Sequence, residues 1–493
     1  MPRRLEVCLS ILLCVSPLYG QLSESKPSDQ QNAPLKLVRT LSLPSAIQGH
    51  FDHFGVDLKH HRLFATPEDF KAVLVFDLNT GEMVHQIDGL VRPHAVLYRE
   101  DLNRIYVTDG GDGTLRIYDG DTYDLRKSIQ LLKDADSIGY DPSRRYLYID
   151  NGGGAVGQTY SMLSVVDTTK EDKIADIQIG GDTLEAMTLD SYRPRLYVND
   201  KAKNQVVVVD RWKNTMVASW PVTLAKDNVA MALDEPHQRL FVGCRSGQIV
   251  VFDTNTGKEL LALPISKGID DLIYDLSSKR LYSAGDGAVD AFDQVDADHY
   301  NPLGSVPSGP AGKTGRLVPE LNRLFVAVPS DTREARILTY KAVNIPAPAA
   351  PVSESKTVVD APMAEQLIMS TLSAHPYLRK MGLHVIPPGQ QVSVLIANGN
   401  ATRLGIRTTD GDFTAVKEGK TYGPKIDNGS FYNMKLPMFD ASDRRIGILV
   451  MEIPSTSATD QADAIRQAEA IRKEVAQKIP DLQSLFLPSA PVR

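Results

Sequence analysis

The sequence predicts a seven-bladed β-propeller, an all-β fold, followed by a smaller C-terminal α+β domain. One pattern, in which a basic residue often precedes Leu or Ile and an aromatic residue follows, occurs seven times at spacings of 42, 42, 49, 44, 41 and 43 residues. Each copy contains about four short β-rich runs, as a propeller blade does. The composition changes after Val343, where a Pro- and Ala-rich segment begins. The aromatic residues are Phe64, Tyr106, Tyr148, Tyr197, Phe241, Tyr282 and Phe325.

The order of runs within a repeat supports this assignment. After the aromatic residue comes a second β-rich run that ends in Asp, as at Asp77 and Asp253, and turn residues follow it. No amphipathic helical pattern separates the runs, which excludes a parallel β/α fold. The seventh copy lacks an outer run, whereas Lys36 to Leu43 resembles one. We therefore predict that this N-terminal strand completes the last blade of a propeller spanning residues 35–343.

Length, charge and the N-terminus restrict the possible functions. A chain of 493 residues exceeds one typical domain, and its 54 Lys and Arg against 61 Asp and Glu provide no basic excess for binding nucleic acid. Arg3 and Arg4 precede a short apolar run, so residues 1–20 are predicted to be a signal peptide of a periplasmic or secreted protein. No other stretch approaches the roughly 18 apolar residues of a transmembrane anchor. Cys244 would then be the only remaining cysteine, which excludes an internal disulfide.

A candidate site appears at the position twelve residues before each aromatic residue. Six of these seven residues are ionisable, although charged residues make up 23% of the chain. They precede the innermost strands, where propellers bind ligands, and His53 extends the set. Such a ring suits a divalent cation, or a cationic or polyhydroxylated ligand; the alternative is that these loop residues are polar because they are hydrated. The seven are Asp52, His94, Asp136, Glu185, Val229, Asp270 and Lys313.

No nucleophile motif accompanies this ring. The chain lacks a Gly-x-Ser-x-Gly elbow, and its 10 histidines are scattered. The sequence therefore favours a binding protein over an enzyme, with an extracytoplasmic protein or a small molecule as its partner. The enzymatic alternative is a metal-dependent hydrolase or lactonase with a divalent cation in the propeller channel.

Several segments resemble a known family. FDHFGVDLKHHRLF, GGDGTLRIYDG and VPELNRLFVAVP are similar to segments of bacterial extracytoplasmic YVTN-type seven-bladed propellers. The resemblance covers roughly residues 35–343. It implies the fold strongly and the function weakly, because related propellers are binding platforms, scaffolds and enzymes.

Beyond a predicted linker at residues 344–360, residues 361–488 are expected to form an α+β domain. A helix is predicted at 361–374 and a second at about 460–478. Strands are predicted at 392–397, 404–408, 431–436 and 446–453. This order resembles the PAS-like or Cache-like modules that act as bacterial ligand sensors.

The resemblance implies a ligand site beside the long loop at residues 410–427. Arg407 precedes this loop, and Lys417 and Lys420 lie within it. Together they are predicted to hold an anion such as a carboxylate. The alternative is a solvated basic loop on the surface of the domain.

Overall fold

The computed structural model describes residues 33–142, 144–190, 193–343, 356, 359–409, 412 and 420–488. Within these ranges the chain forms seven four-stranded antiparallel sheets, one five-stranded sheet and two α-helices. The predicted signal peptide and nearly all of the predicted linker lie outside the described residues. No helix in the described ranges is long and apolar enough to cross a membrane.

The four-stranded sheets, numbered 1 to 7 along the chain, follow the sequence repeat. A first strand at Leu35–Ser42 (β1) joins sheet 7. Sheet 1 contains Gly55–Asp57 (β2), Arg62–Ala65 (β3), Val73–Asp77 (β4) and Met83–Ile87 (β5). Sheet 2 contains Pro93–Arg99 (β6), Arg104–Asp109 (β7), Thr114–Asp119 (β8) and Leu125–Gln130 (β9). Sheet 3 contains Ile138–Asp141 (β10), Tyr146–Gly152 (β11), Ser161–Asp167 (β12) and Asp172–Ile179 (β13).

The remaining four-stranded sheets have the same strand order. Sheet 4 contains Leu184–Leu189 (β14), Arg195–Asp200 (β15), Gln205–Asp210 (β16) and Thr215–Pro221 (β17). Sheet 5 contains Asn228–Asp234 (β18), Arg239–Cys244 (β19), Gln248–Asp253 (β20) and Lys258–Pro264 (β21). Sheet 6 contains Asp271–Asp275 (β22), Arg280–Gly285 (β23), Gly287–Gln294 (β24) and Tyr300–Gly309 (β25). Sheet 7 combines Thr314–Val318 (β26), Arg323–Val328 (β27) and Arg336–Ala342 (β28) with β1.

The sheets form a closed ring. The first strand of each sheet from β2 to β22 contacts the first strand of the next sheet. Sheets 7 and 1 meet where the Thr314 hydroxyl donates to the Phe51 carbonyl oxygen at 2.9 Å, and they share an apolar cluster that contains Phe54 and Val318. Strand β1 pairs antiparallel with β28, from Leu35 opposite Ala342 to Ser42 opposite Arg336. This pairing covers the edge that sheet 7 would otherwise expose.

The repeat has a direct structural meaning. Its aromatic residues lie on the second strand of each sheet and pack between neighbouring sheets; the most exposed of the seven, Phe325, is only 6% exposed. The Asp at the end of the third strand stabilises the following turn by accepting hydrogen bonds from its backbone. The Asp77 carboxylate accepts hydrogen bonds from the backbone N–H groups of Thr80 and Asn79 at 2.7 and 2.9 Å, and these bonds lower the pKa of Asp77. The repeat therefore encodes both the core and the turns.

The C-terminal part is a five-stranded antiparallel sheet with helices packed against it. The core joins Leu367 and Ile368 of the first helix to Ile471 and Val475 of the second. The Asp460 side chain caps the second helix by accepting from the Asp463 N–H at 2.7 Å. The elements are Pro362–Ala374 (α1), Lys380–Val385 (β29), Val394–Asn398 (β30), Lys425–Ile426 (β31), Phe431–Phe439 (β32), Arg445–Pro454 (β33) and Gln461–Gln477 (α2), with sheet order β30-β29-β33-β32-β31.

Two sequence expectations for this part were wrong. The predicted strand at 404–408 is reduced to isolated bridges at Ile406 and Arg407, because Gly405 adopts φ 81° and interrupts the extended backbone. Strand β29 was missed, although β30 and β33 flank it in the sheet.

The C-terminal sheet and helices contact the propeller on one face. The Ser373 hydroxyl donates to the Asp210 carboxylate at 2.7 Å, Arg195 donates to the Pro376 carbonyl oxygen at 3.0 Å, and Trp212 packs against the C-terminal core. Asp210 ends the third strand of sheet 4, at the opposite end from the start of its first strand. The two parts therefore meet on the face opposite the predicted channel mouth.

Candidate functional site

A polar cavity of about 280 Å³ lies at the predicted channel mouth. All seven residues found twelve positions before the repeat aromatics line it, and so does His53. Each of the seven precedes or begins the first strand of its own sheet, so the ring closure brings together side chains that are far apart in sequence. The predicted propeller residues are thus gathered in one place.

Sheets 1 to 3 supply an acidic wall, which we define as Asp52, His94 and Asp136. His94 is 5% exposed, and its Nδ1 donates a hydrogen bond to the Asp52 carboxylate. The same Nδ1 lies 3.7 Å from Asp136 Oδ1, too far for a normal hydrogen bond. Two carboxylates therefore flank one imidazole.

Burial and charge set the pKa values of this wall. Burial alone would lower the pKa of His94, but Asp136 and Asp52 outweigh it and raise that pKa to about 10. Burial would raise the pKa of Asp52, but the charge of His53 and the hydrogen bond from His94 lower it to about 2. For Asp136, burial and repulsion from Asp52 both act upward and raise the pKa to about 7. The wall therefore contains one carboxylate, Asp52, that is ionised at neutral pH, and one, Asp136, that is protonated in a substantial fraction of the molecules.

Unsatisfied polar atoms remain in this wall. Within the described ranges, Asp136 Oδ1 and His94 Nε2 are buried without a hydrogen-bond partner. Asp150, 2% exposed, is a neighbour of this wall: its backbone carbonyl oxygen accepts from the Asp136 N–H at 3.1 Å, and its carboxyl group is repelled by that of Asp136. Burial and repulsion from Asp136 and Glu185 raise the pKa of Asp150 well above its ordinary value. Buried atoms of this kind are costly without a partner, which favours a ligand at this place.

Sheets 5 to 7 supply a basic wall, which we define as Arg245, Asp270 and Lys313. The Arg245 guanidinium lies 2.6 Å from one Asp270 oxygen, and Lys313 Nζ lies 3.1 Å from the other. Two cations share one carboxylate, so this wall carries a net positive charge. The side chains of Arg245 and Lys313 remain 33% and 25% exposed.

Two further groups of ion pairs line the cavity beside these walls. On sheet 4, Lys201 Nζ lies 2.7 Å from Glu185. At the start of sheet 1, His53 lies 3.2 Å from Asp271, the first residue of β22 in sheet 6, and 3.5 Å from Asp52. Burial would lower the pKa of His53, but these two carboxylates raise it well above the usual range. The cavity is therefore acidic on one side and basic on the other.

The sequence reasoning missed some residues of this site. Glu68 and Arg245 line the cavity, and Lys201 pairs with Glu185 at its edge. All three lie four residues after a repeat aromatic, at Phe64, Tyr197 and Phe241. That position lies just beyond the end of the second strand that faces the channel mouth. A comparison of the residues four positions after each repeat aromatic would therefore have identified these side chains.

The acidic wall has the ligand types of a metal site. One ligand atom each from Asp52, His94 and Asp136 lies within 4.8 Å of the others. Divalent cations accept such carboxylate and imidazole ligands. However, His94 Nδ1 already donates its proton to Asp52, so an ion would have to displace that proton before the nitrogen could coordinate.

The predicted anion site of the C-terminal part stays a prediction. Arg407 is exposed and forms an isolated bridge with Val394. Lys420 is exposed as well, and Lys417 lies outside the described residues.

Comparisons with known proteins support the fold. The chain matches no family model and no curated protein. It is similar to a chain in the crystal structure of the mitotic checkpoint complex, with 16% identity and a TM-score of 0.53, covering 67% of this chain and 99% of that one. It is also similar to Kuenenia stuttgartiensis hydrazine synthase, with 15% identity and a TM-score of 0.50, covering 62% and 98%. At these identities the likeness shows the fold alone, and it confirms the β-propeller class.

Proposed function

We propose that this chain is an exported binding protein, a seven-bladed YVTN-type propeller that holds a small charged ligand at its channel mouth. One observation carries the proposal: equivalent positions from all seven sheets line a single polar cavity. A purely structural ring would be expected to satisfy its buried polar atoms internally, whereas Asp136 Oδ1 has no hydrogen-bond partner among the described residues.

The size and lining of the cavity favour a small hydrophilic ligand. Its volume of about 280 Å³ lies just below the range of about 300–1,000 Å³ that is usual for small-molecule sites. The residues that line it are mostly charged, so an apolar ligand would leave these groups desolvated and unpaired.

A thermal-shift screen tests this proposal. The protein without residues 1–20 is mixed with small amines, carboxylates, amino acids and sugars, and the melting temperature is recorded. A ligand at the mouth should raise the melting temperature of the wild type and of Asp296→Asn, but not of Asp136→Asn. Asp296 is a matched control because it is exposed in the turn between β24 and β25, at the other end of the strands. A screen in which no compound raises the melting temperature contradicts the small-ligand proposal.

The metal-dependent hydrolase is a second candidate, favoured by the 4.8 Å grouping of Asp52, His94 and Asp136. Elemental analysis of protein purified without chelator should then show one divalent ion per chain. Asp52→Ala should lose that ion together with any lactonase or esterase activity, and Asp296→Asn should keep both. Metal-free protein whose melting temperature is unchanged by Ca²⁺ or Zn²⁺ would contradict this candidate.

We also propose that the C-terminal part is a Cache-like module that binds an anion through Arg407, Lys417 and Lys420. Calorimetry of the chain lacking residues 1–20 with small organic acids tests the proposal. Arg407→Ala or Lys420→Ala should each weaken binding tenfold or more, because a charge-assisted hydrogen bond contributes about 1.5–3 kcal/mol. Binding that is unchanged in both variants would contradict the proposed site.

A further inference from the structure

We propose that the ligand at the channel mouth is a small zwitterion, with its ammonium group against the acidic wall and its carboxylate against the basic wall. This inference rests on the proposed function and specifies the chemical class of the ligand.

The acidic wall has the acceptors that an ammonium group needs. Asp136 Oδ1 is buried and has no hydrogen-bond partner in the described part of the chain. Asp134, which is exposed, lines the same cavity two residues away. An ammonium group has three N–H donors, so it can satisfy Asp136 and still reach a second carboxylate.

The basic wall has the donors that a carboxylate needs. Arg245 and Lys313 both contact Asp270, so the three residues of the basic wall carry one positive charge in excess. A guanidinium carries five N–H donors, and an ammonium carries three. A ligand carboxylate beside Asp270 would therefore meet donors from two side chains and balance the excess charge.

The position of the walls in the ring favours a ligand with both charges. The acidic wall comes from sheets 1 to 3 and the basic wall from sheets 5 to 7, so each occupies one half of the ring of seven sheets. The two halves adjoin where sheet 7 meets sheet 1. A cation alone gains at the acidic wall and is repelled by the excess charge of the basic wall. An anion alone is attracted by the basic wall and repelled by the carboxylates of the acidic wall. A zwitterion aligned across the cavity gains at both ends.

Calorimetry with simple ω-amino acids tests this inference. Glycine, β-alanine, γ-aminobutyrate and 6-aminohexanoate are titrated into the protein without residues 1–20 at low salt and pH 7.5. Each is compared with an amine and a carboxylate of the same chain length, for example butylamine and butyrate for γ-aminobutyrate. At least one amino acid should bind tenfold or more tightly than both of its one-charge counterparts.

Substitutions then assign each end of the ligand. Asp136→Asn should reduce the affinity of the best amino acid to that of the matched carboxylate. Lys313→Met or Arg245→Met should reduce it to that of the matched amine. Asp296→Asn, and Arg126→Met on the exposed outer strand β9, are the charge-matched controls and should leave the affinity unchanged.

The outcomes separate this inference from the proposed function. If a one-charge amine, a carboxylate or Ca²⁺ binds as tightly as every amino acid of the series, the zwitterion is wrong, whereas the binding site at the mouth stands. If none of the probes binds, the zwitterion is contradicted, and the wider thermal-shift screen decides the proposed function separately. The comparison of probes on the wild type decides the result even where a variant fails to fold.

Discussion

The pair formed by Arg211 and Asp141 holds two opposite charges inside the propeller. Their side chains are 2% and 1% exposed, and they connect sheets 3 and 4. The Arg211 guanidinium also donates to the carbonyl oxygens of Asp190 and Arg193 at 2.6 and 3.0 Å. A buried charge of this kind depends on its partners, because removing one partner leaves the other unpaired in a medium of low polarity.

We predict that Arg211→Met destabilises the protein by about 3–5 kcal/mol, because Asp141 and two buried carbonyl groups lose their donor. Urea unfolding at pH 7.5 measures the change. Arg126→Met, on an exposed position of β9, is the control and should change the free energy of unfolding by less than about 0.5 kcal/mol. Equal stabilities of the two variants would contradict the prediction.

Glu365 on α1 provides a prediction about pH. Burial, with repulsion from Asp360, raises the pKa of Glu365 to about 7. The folded chain therefore binds this proton more tightly than the unfolded chain, whose carboxyl group titrates near pH 4.5. The contribution of Glu365 to stability is thus most favourable below pH 4.5 and is lost as the pH rises to about 7.

Glu365→Gln removes this dependence because an amide does not ionise. The variant should be more stable than the wild type at pH 8, by about 1–3 kcal/mol after allowance for partial exposure, and similar to it at pH 4. Urea unfolding at pH 4, 6 and 8 measures the difference between the two proteins. A difference that is independent of pH would show that Glu365 does not titrate in this window.

Among the elements, β1 has a special position because it comes first in the sequence of the propeller and yet completes the last sheet of the ring. It pairs with β28 along its length, and Leu35 is 2% exposed within the core shared by sheets 6 and 7. Without β1, strand β28 becomes an edge with unpaired backbone groups and an exposed apolar neighbourhood.

We predict that deletion of residues 33–43 lowers the melting temperature and promotes self-association through β28. Calorimetry and light scattering after size-exclusion chromatography measure both effects. A synthetic peptide of residues 33–43, added in trans, should restore the monomer and part of the melting temperature, whereas a scrambled peptide should not. A deleted chain that remains monomeric with an unchanged melting temperature would contradict the structural role of β1.

The repeat explains why the propeller was predictable from sequence and the C-terminal sheet only in part. Seven copies of one pattern reveal which positions are buried and which precede the inner strands, and so Asp52 and Asp270 were found without knowing the fold of either loop. Strand β29 occurs once, and Gly382 and His384 interrupt its apolar pattern. Its identity depends on pairing with β30 and β33, which local sequence does not encode.

The sequence predicted which charged residues belong to the site, but not which of them contact each other. The position twelve residues before each repeat aromatic identified the ring of ionisable residues. It did not identify their contacts, because a pair such as Arg245 and Asp270 joins two different sheets, 5 and 6. Such a pair depends on side-chain lengths and on the angle between neighbouring sheets, neither of which the spacing specifies. The division into acidic and basic walls therefore became visible only in the structure.

At the scale of the whole molecule, the C-terminal part contacts one face of the propeller and the candidate site lies on the other. Ser373, Arg195 and Trp212 form part of this contact, beneath sheets 4 and 5. Arg379 extends it by donating to the Pro236 carbonyl oxygen at 2.5 Å. The channel mouth therefore stays open to ligands while the two parts remain together.

We predict that protease cuts the chain first within residues 346–359 and that the two fragments stay associated, because the contacts between them do not depend on the linker. Size-exclusion chromatography under native conditions should show co-elution. The double variant Ser373→Ala, Arg195→Ala should shift the fragments toward separate elution, whereas Arg126→Ala should not. Fragments of the wild type that separate after cleavage would contradict a stable contact.

The pairing of β1 with β28 also has a consequence for the order of folding. The two strands are about 300 residues apart in sequence, so this contact has a high loop-closure cost and belongs to the slow class of non-local pairings. A chain that is synthesised from its N-terminus delivers β1 first and its partner last. Sheets 1 to 6 have all their strands before β28 appears, and the ring closes only when the first ordered strand meets one of the last strands of the propeller to be made.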